Sequence, residues 1–139
     1  MGDEAATEEW LEKAKRADVD SSRVYLTETA ILMDQGKLDE AFLPASKAFG
    51  LEPGNPNAAF TLGNLFVEMD NAAAALPFFL LACDIDKYWI APRISAGNAA
   101  DEMGNRKAAI QHWKKAKSMA PGQQLKDELG RKIRGLEVH

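Results

Sequence analysis

The sequence predicts an all-α fold made of antiparallel helix pairs stacked side by side. Two observations carry that prediction. Columns of like residues recur every 34 positions, and within each unit apolar residues fall at i, i+3, i+4 and i+7 spacing, with no stretch alternating as a strand would. Ala41, Ala75 and Ala109 align, as do Ala48, Ala82 and Ala116, and Leu51, Ile85 and Met119. Gly63 pairs with Gly97, Asn64 with Asn98, Gly36 with Gly104 and Phe79 with Trp113, all without a gap. The 139 residues are 46% apolar and 27% charged, enough for the core of one domain. No run reaches the roughly 18 consecutive apolar residues of a membrane span.

The elements follow in chain order. Residues 1–21 precede the first repeat; Trp10, Leu11 and Ala14 fall in second-helix columns when the register is run back one unit, so a packing helix is expected over 5–18. Three repeats then occupy 22–55, 56–89 and 90–123. Pro56 stands in the first helical turn, where its missing N–H costs nothing, after Asn55 as N-cap; Pro92 has a similar place in the next unit. First helices are expected to end near Gly36, Asp70 and Gly104, with Asn71 and Asn105 placed to cap the second helices. Ala75, Phe78, Phe79 and Ala82 give one second helix its apolar face. Pro44 and Pro77 lie well inside second helices, where each removes a hydrogen bond and is expected to kink the helix. Such a bend is either tolerated on the convex face or shapes a contact. Residues 124–139 form an amphipathic cap, with Leu125, Leu129, Ile133 and Leu136 in one stripe and Lys126, Arg131, Lys132 and Arg134 outside it.

These columns resemble the tetratricopeptide repeat (TPR) family, whose 34-residue unit is a helix-turn-helix. Unit two carries Leu62, Gly63, Phe66, Ala75, Phe79 and Ala82; unit three carries Gly97, Ala109, Trp113, Ala116 and Pro121; unit one carries Tyr25, Leu32, Ala41, Ala48 and Pro53. Departures are Glu28, Thr29 and Ala45 in unit one, Ala59 and Lys87 in unit two, and Arg93, Ala96 and Ala100 in unit three. The resemblance implies a right-handed superhelix of three repeats with flanking N- and C-terminal helices, and a role in protein binding.

The inventory for catalysis is thin, so a non-enzymatic protein without cofactor or metal is expected. His112 and His139 are the two histidines, and the lone cysteine, Cys83, reads as a small apolar residue on a packed helix face. No nucleophile-base spacing, metal-ligand cluster or phosphate-cradling glycine loop stands out. Paired acids such as Asp84 and Asp86 read as solvated. Since the N-terminus lacks the basic start and apolar stretch of a secretory signal and one cysteine makes no internal disulfide, the expected location is the cytoplasm.

In the resembled architecture the first helix of each unit lines a concave groove, through a stripe at i, i+3, i+4, i+7, i+10 and i+11. Here that stripe is Arg23, Leu26, Thr27, Ala30, Met33 and Asp34; then Asn57, Phe60, Thr61, Asn64, Val67 and Glu68; then Ala91, Ile94, Ser95, Asn98, Asp101 and Glu102. Asn64 and Asn98 resemble the asparagines with which family members hold a peptide backbone; the alternative is a solvated or locally bonded amide. Family members that grip two carboxylates use Lys and Arg where this chain has Leu26, Thr27, Phe60, Thr61, Ile94 and Ser95, so such a clamp is not expected. Phe60, Leu26, Met33, Val67 and Ile94 beside Asp34, Glu68, Asp101 and Glu102 suit a peptide or helix with apolar anchors and basic flanks.

The net charge of −4 conceals a polarity. Residues 1–92 hold 7 Lys and Arg against 16 Asp and Glu, and residues 93–139 hold 10 against 5. This leaves three readings: an adaptor that binds a partner segment, of which a type III secretion translocator chaperone is a narrower form; a scaffold that assembles head to tail by charge; and a basic patch for an acidic partner. The patch lacks interleaved aromatics for nucleic acid and reads as a solvated face, so neither nucleic acid nor membrane is an expected partner.

Overall fold

A computed structural model of the chain describes residues 4–17 and 21–137, so His139 lies outside the described residues. Eight helices follow one another: α1 (Glu4–Ala17), α2 (Ser22–Asp34), α3 (Leu38–Leu51), α4 (Pro56–Glu68), α5 (Ala72–Ile85), α6 (Ile90–Glu102), α7 (Arg106–Met119) and α8 (Gln123–Glu137). No strand occurs among the described residues. The first helices of the pairs, α2, α4 and α6, have 13 residues each, and the second helices, α3, α5 and α7, have 14. Each helix packs on its neighbours in the chain, so the stack is linear.

The turn within each pair is built the same way three times. Gly36, Asp70 and Gly104 take positive φ of 73°, 60° and 79°, one residue past the helix C-cap. The following N–H reaches back to the helix, from Lys37 to Leu32 O at 2.9 Å, from Asn71 to Phe66 O at 2.8 Å and from Asn105 to Ala100 O at 2.9 Å. This is the Schellman arrangement, which satisfies carbonyls the helix end would otherwise orphan. The second helices then start on capping amides: Asn71 Oδ1 accepts from the Ala74 N–H and Asn105 Oδ1 from the Ala108 N–H, both at 3.1 Å. Lys37 holds the equivalent place in the first pair and makes no side-chain cap.

Small columns let the helices approach, and large ones fill what remains. A Cβ on Gly63 would stand 2.5 Å from Phe79 Cε1, and one on Gly97 would overlap the Trp113 ring. In the first pair the same two columns hold Thr29 and Ala45, both fully buried. The bulk has moved from the second helix to the first, and Thr29 satisfies its hydroxyl by donating to Tyr25 O at 2.8 Å. Three buried clusters succeed one another along the stack. Ala41, Ala45, Leu62 and Leu65 form one, Ala75, Phe79, Ala96 and Ala99 the next, and Ala100, Ala109, Trp113, Ala116, Leu129 and Ile133 the last. The C-terminal stripe thus packs as its periodicity predicts, with Leu125 and Leu136 half-buried at its margins.

One expectation needs correction. The column register sets Trp10 with Leu11 in packing positions, yet Trp10 is 54% exposed and Leu11 alone of the two is buried, because α1 packs on α2 with Leu11 turned towards Ile31 and Leu32. Pro44 and Pro77 lie inside second helices as expected, within α3 (Leu38–Leu51) and α5 (Ala72–Ile85). The two also differ: Pro77 is exposed, as a bend on the outer face would have it, whereas Pro44 is buried.

Candidate functional site

The residues of the first-helix stripe share a surface pattern. Asp34, Glu68, Asp101 and Glu102 at the C-terminal ends of α2, α4 and α6 are exposed, as are Arg23 and Asn57 near the N-terminal ends of α2 and α4. Between them Leu26, Thr27, Met33, Phe60, Thr61, Asn64, Val67, Ile94, Ser95 and Asn98 are half-buried. The acids therefore form a rim and the apolar and amide residues a floor.

The structure brings five of these residues around one depression. Asn64 and Val67 on α4 face Ser95, Asn98 and Glu102 on α6 across a cavity of about 80 Å³, with Ala99 and the Phe79 ring as the floor. That volume is about half of the ~150 Å³ that admits a benzene-sized group. A depression of that size suits a small aliphatic side chain better than an aromatic ring.

The apolar members are less available than their spacing suggests. Phe60 meets Phe79 in a tilted contact at 5.7 Å between ring centroids and Trp89 edge-on at 4.7 Å. Val67 packs on the same cluster, Met33 on the first and Ile94 on the last. Each serves the core with one side and the surface with the other.

Asn98 is locally bonded. Its Oδ1 accepts from Trp113 Nε1 at 3.2 Å and from Lys132 Nζ at 3.1 Å, which fixes the amide orientation because both partners are donors. Lys132 also lies 5.1 Å from the Trp113 ring centroid, in a cation–π contact. Periodicity sets Lys132 outside the apolar stripe of α8 and by itself gives it no part in this surface. Yet the signal was present, since Lys132 stands 34 residues after Asn98 and so continues the column of Asn64 and Asn98. Helix α8 occupies the place of a fourth first helix, packed on α7, and brings a cation to the end of the acidic rim.

Elsewhere, Cys83 is a buried thiol whose pKa burial raises, the Arg93 charge opposing. His112 is half-buried beside Arg93, and burial, then the guanidinium, lower its pKa, so the imidazole is neutral near pH 7. Among the described residues no group of three or more His, Cys, Asp or Glu could hold a metal ion, and no helix is long and apolar enough to cross a membrane.

No protein-family model matches the sequence, and no curated protein does. Solved structures match closely in fold. The first TPR of Spaghetti (RPAP3), bound to the HSP90 peptide SRMEEVD, superposes with a TM-score of 0.77 at 20% identity, over 88% of this chain and 97% of that one. MamA gives a TM-score of 0.77 at 22% identity, over 92% and 78% of the two chains. The Yersinia enterocolitica type III secretion chaperone SycD, in complex with a peptide of the translocator YopD, gives 0.78 at 12% identity, over 87% and 97%. The chain has the TPR fold, a right-handed superhelix of three helix-turn-helix repeats with a flanking helix at each end.

Proposed function

We propose that this chain is a protein-interaction module whose first-helix face binds a peptide or helical segment bearing a small apolar side chain and basic flanks. The observation that carries the reading is the convergence of Asn64, Val67, Ser95, Asn98 and Glu102 on one depression beside an acidic rim. Asn64 offers a donor and an acceptor for a peptide backbone, whereas the carbonyl of Asn98 is already engaged by Trp113 and Lys132. Structures of the same fold with peptides bound, those of RPAP3 and SycD, support the general role. The acid-tailed HSP90 peptide does not transfer as a ligand, because apolar and hydroxyl side chains replace the basic clamp and the rim here is acidic. At 12% identity the likeness to SycD carries the fold and not the translocator-chaperone role.

Selection from a displayed peptide library tests this reading. Recovered segments should pair a small aliphatic residue with Lys or Arg. Asn64→Ala or Glu102→Lys should weaken them about 10-fold, the equivalent of one charge-assisted hydrogen bond. Asp39→Ala, an exposed change on α3, should leave both affinity and helical circular dichroism unchanged. If Asn64→Ala and Glu102→Lys bind as the parent does, the groove is not the site. The charge polarity supports a second reading, head-to-tail assembly, in which complementary ends attract and salt screens the contact over about 8 Å. Light scattering separates the two, since assembly alone gives a mass that falls as salt rises.

A further inference from the structure

A second cavity lies where α5, the loop after it, α6 and α7 meet. Its volume is about 460 Å³, and Cys83, Asp84, Lys87, Tyr88, Arg93, Lys115 and Met119 line it. It shares no residue with the depression around Asn64 and Asn98. Its size falls within the ~300–1,000 Å³ typical of small-ligand pockets.

Arg93 is the unusual component. It sits in a column that holds Tyr25 and Ala59 in the other repeats, so the repeat pattern alone does not call for a cation there. Its Nε is buried and has no hydrogen-bond partner among the described residues. One terminal nitrogen faces His112 Nδ1 at 3.5 Å, a long contact to a neutral ring. A guanidinium cannot shed its proton, so it keeps its charge and the donor stays unspent. Departures from local rules that carry a cost and lack a structural return concentrate at functional sites.

The surrounding charge indicates what the site would take. Lys87, Arg93 and Lys115 face the cavity against Asp84 alone, which leaves an excess of two positive charges in the lining. A single carboxylate would neutralise half of that. A phosphate monoester carries about −1.5 to −2 near neutral pH and presents several acceptor oxygens to a planar guanidinium. Tyr88, 95% exposed, and Met119 supply apolar surface for the organic part. We infer that this cavity binds a phosphoryl group borne on an organic ligand, with Arg93, Lys87 and Lys115 as its cationic contacts. The phosphoryl group either belongs to a small phosphate ester or to a phosphorylated side chain of a partner.

NMR titration of the full chain with inorganic phosphate, against chloride at matched ionic strength, tests the site. Saturable shifts should appear at the Arg93 Nε–H, the Cys83 amide and the His112 imidazole. His112 should titrate at higher pH once phosphate is bound, because the anion offsets the nearby guanidinium. Lys87→Ala combined with Lys115→Ala, both at exposed residues and so compatible with folding, should weaken binding at least about 10-fold. Arg93→Gln should weaken it further. Shifts that grow linearly, that chloride reproduces, or that persist unchanged in the double-lysine variant would overturn the assignment. Two further probes identify the source, each result supporting the site: phenyl phosphate binding more tightly than a phosphoserine peptide points to a small ester, and the reverse order to a modified partner. Asn64→Ala should not alter any of these shifts, which keeps this test separate from that of the groove.

Discussion

Gly63 and Gly97 decide how closely the paired helices approach. Alanine is favoured over glycine in a helix by about 1 kcal/mol, so on propensity alone either substitution should stabilise the fold. Packing reverses the sign. The new Cβ at position 63 would meet a Phe79 ring that is 1% exposed and has nowhere to move, and the clash at Trp113 is tighter still. Overpacking of this kind costs about 1–3 kcal/mol. Gly63→Ala and Gly97→Ala should therefore lower the urea midpoint, Gly97→Ala by more, while Gly135→Ala, which meets nothing within 4 Å, should raise it. A gain in stability at position 63 or 97 would show that the helices stand further apart. The same comparison explains Thr29 and Ala45, which look like failures of the repeat pattern. They place a side chain on the first helix where the other pairs have none, and remove the ring opposite it that would have clashed.

At the scale of the element, what was legible depended on whether a residue repeats. Helix ends, caps and small columns recur every 34 residues, and each recurrence reports the same local physics, so Asn71, Asn105 and the three left-handed turn residues could be placed without coordinates. Singular residues have no such check. Arg93 could be marked as a departure from its column, but that its Nε is buried without a partner depends on α6 and α7 lying side by side. Asn98 could be assigned to the first-helix face, whereas its bond to Lys132 joins residues 34 apart through packing of α8. The prolines illustrate the same limit, for the sequence places them inside helices but does not say which side they face. Pro77 is exposed, so replacing it by alanine restores a backbone donor without opening a cavity. The propensity gain of about 3 kcal/mol is offset in part by the roughly 1 kcal/mol that proline contributes by restricting the unfolded chain. Pro77→Ala should stabilise the protein by about 1–2 kcal/mol in equilibrium urea unfolding. Pro44→Ala should gain less, because Pro44 is buried and its ring fills space. Destabilisation by Pro77→Ala would mean that the bend itself is needed.

For the whole molecule, the linear stack sets how damage spreads. Contacts run between neighbouring helices, so no central core ties the first pair to the last. Stability then approximates a sum of repeat terms and nearest-neighbour interfaces. Leu129 on α8 is 1% exposed and joins Ile133 against Trp113 and Ala116 of α7. Leu129→Ala should cost about 2–5 kcal/mol, the usual range for truncating a buried leucine. The location of the loss is the sharper expectation. Because the deleted contacts lie at one end, hydrogen exchange should accelerate first in α8 and α7 and then in α6, where Asn98 loses the support of Lys132. Amides of α3 and α4, five and four helix interfaces from α8, should keep most of their protection under conditions where α8 has lost its own. Uniform acceleration from α2 to α8 would instead show that all the helices open as one cooperative unit. The groove feels this loss through Asn98, whose carbonyl Lys132 of α8 helps to hold in place.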